Sequence, residues 1–103
     1  MMTQVNIELQ SHVANRLNNL VQFFGSKELL FDKFIEYHTK KLKREIARMQ
    51  EDLDKYEKQY NMKSAEFFKQ FEAGKLGDNK DFILWSGIYE MQLDSKQKLR
   101  KLL

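Results

Sequence analysis

The sequence predicts a mainly α chain. It should have one short strand that pairs with its own copy across a dimer, then a helix, a very long second helix and a C-terminal helical extension. Three observations lead there. Residues Gln4 to Leu9 alternate polar and apolar, apolar residues from Val13 to Tyr60 recur mostly at spacings of three and four, and nothing else in the chain has a period of two.

Within the first segment Val5, Ile7 and Leu9 are apolar while Gln4, Asn6 and Glu8 are polar, the pattern of a half-buried strand. A lone strand leaves its backbone groups without partners, so its ladder is expected from a second copy of the chain. That expectation makes Val5, Ile7 and Leu9, with Phe34 and Ile35 of the second helix, the core of a homodimer. Val13, Leu17, Leu20, Val21 and Phe24 then form one helical stripe, with Ser11 expected as its cap. Gly25 should take a left-handed backbone to end that helix, and Ser26 should accept the first amides of the next, which opens near Lys27.

Leu30, Phe34, Ile35, Leu42, Ile46, Met49, Leu53, Tyr56 and Tyr60, with His38 on the same stripe, keep helical spacing. A helix over 27–60 is about 51 Å long at 1.5 Å per residue. Its heptad seam from Ile35 onward needs cover from another helix. Two later segments can supply it. Ser64 starts a short helix with Phe67, Phe68 and Phe71 that runs to Gly74, and Asp78 or Asn79 can cap a last helix bearing Phe82, Ile83, Trp85, Ile88, Met91, Leu99 and Leu102. The expected organisation is a dimerisation and DNA-binding module at 1–48, a continuation of the long helix at 49–60, and a C-terminal extension at 61–103.

Composition excludes several classes of function. There is no Cys, hence no disulfide or thiolate chemistry. No apolar run approaches the roughly 18 residues of a membrane helix and no leader pattern opens the chain, so the expected address is the cytoplasm, with no membrane partner. His12 and His38 have no clustered acidic partners; His38 reads as a packed residue, and no metal or cofactor is expected. No paired carboxylates, Ser/His/Asp set or phosphate-binding loop occurs, so the chain is not expected to be an enzyme. Net charge is only +3. Residues 1–48 carry eight Lys/Arg against five Asp/Glu, mostly through Lys40-Lys41-Leu42-Lys43-Arg44, a run that reads first as a solvated helix face.

The order strand, helix, Gly turn, helix, carried by Gln4-Val5-Asn6-Ile7-Glu8-Leu9, the Leu17 to Phe24 stripe and Gly25-Ser26, resembles the ribbon-helix-helix repressors. The resemblance covers slightly less than half of the chain. It implies that paired strands of two chains enter the major groove of operator DNA with Gln4, Asn6 and Glu8 on base edges. Gln4 and Asn6 can make paired hydrogen bonds to adenine, and a Glu8 carboxylate can accept from cytosine N4. Ser26 and Lys27, at the positive end of the second helix, would then meet a DNA phosphate.

The stretch from Ser64-Ala65-Glu66-Phe67-Phe68 through Phe71 to Asp78, with Asp81 and Trp85, looks like small bacterial antitoxin components. That likeness implies the antitoxin of a type II toxin–antitoxin module: a dimeric autorepressor that blocks a protein toxin through its C-terminal part, with Phe67, Phe68, Phe71 and Trp85 as the partner-binding residues. Aromatics at helical spacing also read simply as core. The alternative function is a structural or oligomerising helical adaptor with weak or no DNA binding, favoured by Glu8 and by the long heptad seam.

Overall fold

A computed structural model describes all 103 residues as four helices: α1 (Ser11–Phe24), α2 (Lys27–Tyr60), α3 (Ser64–Glu72) and α4 (Lys80–Leu102). No strand is present. Residues 1–10 adopt no regular secondary structure, which overturns the expected ribbon at Gln4 to Leu9 and with it the ribbon-helix-helix fold class; the mainly α character stands. The physical reason lies in the expectation itself, since a single chain holds no second strand to complete a ladder. Backbone bonding begins only at Gln10, whose carbonyl accepts from Val13 and Ala14.

The helix limits follow from local chemistry. Gly25, at φ 87°, closes α1 by donating its amide to the Val21 carbonyl at 2.9 Å, the left-handed cap expected there. Ser26 Oγ accepts the Leu29 amide at 3.0 Å and so caps α2 as expected. Ser11 does not cap α1. It is already helical, and the capping position is Gln10, whose side chain makes no capping bond. α2 ends where Asn61 turns left-handed at φ 53° and Met62 donates to the Glu57 carbonyl, a Schellman closure made without glycine. The same closure ends α3 at Gly74, with Lys75 donating to the Gln70 carbonyl. Asn79 caps α4 by accepting from the Phe82 amide at 2.9 Å.

The chain divides into two compact units, Met1–Glu36 and Tyr37–Leu103, so the division falls inside α2, earlier than the 48/49 boundary expected from sequence. In the first unit Leu30 is the only buried apolar residue, and α1 has no buried residue at all. The second unit is a helical hairpin with its own core. α4 runs antiparallel to α2, so that Tyr60 meets Asp81 and Gln50 meets Gln92. Leu53, Phe67 and Trp85 are fully buried at its centre, ringed by Tyr56, Tyr60, Met62, Phe68, Phe71, Phe82, Ile88 and Tyr89. Phe67 stacks on Trp85 with ring centroids 3.7 Å apart and planes 4° from parallel.

Two stability measurements test this description. Gly25→Val should cost about 1–2 kcal/mol in urea unfolding although a Cβ at Gly25 meets nothing within 4 Å, because the cost is the left-handed backbone alone. Trp85→Ala should cost about 3–5 kcal/mol, the range for deleting a buried ring. An unchanged midpoint for Gly25→Val, or a loss below about 1 kcal/mol for Trp85→Ala, contradicts the respective assignment.

Candidate functional site

The N-terminal unit carries most of the sequence-predicted site residues. Val5, Ile7 and Leu9 border one groove of about 250 Å³ together with Leu17, Val21 and Phe31, so the alternation does place the three on one side even without a strand. They remain exposed, at 76%, 60% and 42%. Phe34 and Ile35 are exposed as well. A second groove, lined by Val13, Leu17, Leu20 and Phe23, shares Leu17 with the first and extends the apolar surface across α1.

None of Gln4, Asn6 and Glu8 lines that groove; Gln4 Nε2 donates to Asn6 Oδ1 at 3.3 Å, which holds the two amides side by side on the exposed arm. Ser26 spends its hydroxyl acceptor on the Leu29 amide, and Lys27 borders the apolar groove. The opening turn of α2 also carries Glu28, so its charge is mixed. An anion there would be met by helix amides and Lys27, with Glu28 opposing it.

The four aromatics expected to bind a partner lie in the second unit and prove to be part of its core. Trp85 and Phe67 are fully buried, and Phe68 and Phe71 are half-buried against them. A partner could reach the two buried rings only by unfolding the unit. Their pattern was ambiguous because a helix that buries aromatics against its neighbours and one that offers them to a partner have the same spacing.

The polar groups that organise this unit left little trace in the sequence. Trp85 Nε1 donates to the buried Ser64 Oγ at 2.9 Å, which satisfies the indole inside the core. Glu57 accepts the Ser64 amide at 2.8 Å, so a side chain of α2 caps α3 across the turn. Gln92, 2% exposed, donates to the Ile46 carbonyl at 3.2 Å and to Gln50 Oε1 at 3.0 Å. Apart from Glu57 and Ser64, seven residues apart across a turn, the partners are distant in sequence, and no local motif announces such a bond. The Ser64, Glu57 and Gln92 bonds fix the register between elements that apolar packing alone would let slide.

Tyr60 donates its hydroxyl to Asp81, and Gln59 also reaches that carboxylate. The hydrogen bond to Asp81, with burial as a further cause, holds Tyr60 above its ordinary value of 10.0. Tyr56 is raised as well, first by burial and then by the charges of Asp81 and Asp52. Because these groups are neutral when protonated, the stability they contribute is complete below about pH 10 and is lost as pH rises through the higher folded-state values.

No group of three or more His, Asp or Glu side chains converges into a metal-binding arrangement. No helix is long and apolar enough to cross a membrane. Comparison with protein-family models, with curated proteins and with solved structures finds no match to this chain.

The tyrosine geometry is testable by absorbance at 295 nm. Tyr56 and Tyr60 should titrate above the ordinary range, and Asp81→Ala should bring Tyr60 back toward 10.0. Titration of Tyr60 at its ordinary value, unmoved by that substitution, would contradict the Tyr60–Asp81 contact.

Proposed function

We propose that this chain is a homodimeric regulator of the antitoxin kind, acting in the cytoplasm without enzymatic activity. Its N-terminal unit joins a second copy and contacts operator DNA, and its C-terminal unit meets a cognate protein toxin. The observation that carries the reading is the contrast between the two units. The second has a closed aromatic core, whereas eleven large apolar side chains from Val5 to Ile35 lie exposed on the first. At 37–84% exposure those eleven side chains present on the order of 1,000 Å². A monomer's largest apolar patch is about 300–600 Å², and a standard interface takes about 800 Å² from each partner. A second copy supplies a matching surface by symmetry.

DNA contact is supported by the side-by-side amides of Gln4 and Asn6 on an exposed arm, each able to bond the N6 and N7 of adenine. Ser26 and Lys27 add a helix N-terminus within the same unit. The toxin would meet the C-terminal unit on its outer surface, where Ile83, Leu84 and Met91 of α4 are exposed, since Phe67 and Trp85 are committed to the core.

The adaptor reading, oligomerisation without DNA, keeps one specific observation in its favour. Glu8 sits on the same arm as Gln4 and Asn6, and its carboxylate repels phosphate. One titration separates the two readings. Duplex from upstream of the chain's own gene should bind at least tenfold more tightly than random duplex, and Asn6→Ala should weaken that preference by about 1–3 kcal/mol. Equal affinity for both duplexes, indifferent to Asn6→Ala, removes the repressor and leaves the adaptor. Tagged full-length chain should also recover a protein encoded beside it; recovery of none removes the toxin-binding half of the reading.

A further inference from the structure

The charges of the C-terminal unit are sorted by position in a way that the net charge conceals. Antiparallel packing brings residues 37–50 of α2 beside residues 91–103, with Gln92 bonded to Ile46 and Gln50 at the centre of the pairing. Those two stretches together hold nine Lys/Arg against Glu45 and Asp94, a formal charge of +7. Residues 51–90, which include the aromatic core and the Tyr60–Asp81 contact, hold six Lys/Arg against nine Asp/Glu, or −3. The hairpin therefore has one strongly basic end and one acidic end.

All nine cationic residues at the basic end are exposed. Lys41, Arg44 and Arg48 follow one another at spacings of three and four on the side of α2 turned away from Leu53 and the core. We infer that this basic end of the hairpin binds the phosphate backbone of duplex DNA without regard to base sequence. The inference does not rest on base contacts by the N-terminal arm.

Three features select duplex DNA over other polyanions. From Lys40 to Arg48 the helix advances about 12 Å, a length along which a duplex presents about seven phosphate charges. An anionic membrane is a poorer fit, because an interfacial helix needs a continuous free apolar face: the apolar stripe of this stretch of α2, Leu42, Ile46 and Met49, is half-buried, and the exposed apolar residues of α4, Met91, Leu93, Leu102 and Leu103, fall at its two ends with Lys96, Lys98, Arg100 and Lys101 between or beside them. A single strand is a poorer fit too. Unpaired bases want a row of exposed aromatic rings, and this end of α2 offers Tyr37 alone.

The test is a fluorescence anisotropy titration of the full chain against a random-sequence duplex of about 20 base pairs, repeated between about 50 and 200 mM salt. Replacing Lys41, Lys43, Arg44 and Arg48 by Gln should weaken binding at least tenfold and flatten the log–log salt slope by about 3. Lys96→Gln with Lys101→Gln, on the other helix, should give a smaller loss of the same kind. The comparison that decides is Lys58→Gln, Lys69→Gln, Lys75→Gln and Lys80→Gln, which removes the same net charge from the acidic end and should leave affinity within about twofold, as should Asn6→Ala. Equal losses from the two quadruple variants would mean that net charge alone binds, and overturn the assignment. Undiminished duplex binding by the basic-end variant would overturn it as well, and if that variant instead lost binding to phosphatidylserine vesicles, the surface would be a membrane contact.

Discussion

Trp85 stacked on Phe67, with its indole N–H satisfied by Ser64, is the interaction on which the C-terminal unit depends. The stack joins α3 to α4, and Leu53 and Tyr56 bring α2 to the same place. A bulky ring in an apolar core costs stability if its polar atom is left unpaired, so the position of Ser64 matters as much as the packing. Ser64 is placed in turn by Glu57, which holds its amide and so fixes where α3 begins relative to α2. The sharp Asn61 reversal makes that short connection possible. Three helices are thus held in register by one buried aromatic stack and two hydrogen bonds, and the long seam of α2 gains the cover it lacked.

The N-terminal unit obeys the same physics and reaches a different result. Its apolar residues lie on one arm and two helix segments, with no third layer to close over them, so Val5, Ile7 and Leu9 gather along a groove and stay in water. Exposure of that kind is costly unless another surface covers it. The dimer we propose supplies that surface. In this account the C-terminal unit is complete within one chain, whereas the N-terminal unit is half of a larger object. The proposed division of labour, association and operator DNA for the N-terminal unit and a protein partner for the C-terminal unit, follows from that asymmetry.

Much of the helical layout was legible in the sequence. Regular spacing through Tyr60 gave the length of α2, while Gly25, Ser26 and Asn79 marked ends through backbone and capping chemistry that acts within a few residues. The strand was misread because alternation reports which side chains share a side, and a ladder also needs a partner that one chain lacks. The groove shows the first half of that pattern realised without the second. Phe67 and Trp85 could be read either as partner-binding residues or as core, since helical spacing is blind to what covers a face, and the structure buries both. The Ser64 and Gln92 side-chain bonds were invisible for a simpler reason: Trp85, Ile46 and Gln50 meet them only after the hairpin closes, while Glu57 meets Ser64 only once the chain has reversed at Asn61.

Sedimentation equilibrium of the full chain at micromolar concentration tests the central asymmetry most directly. The account predicts a mass about twice 12.4 kDa for the wild type. It predicts a monomer for Ile7→Asp whose Trp85 fluorescence is unchanged, because the charge disrupts only the N-terminal surface. A wild-type monomer, or an Ile7→Asp variant that remains dimeric, would contradict the claim that a second copy completes the N-terminal unit.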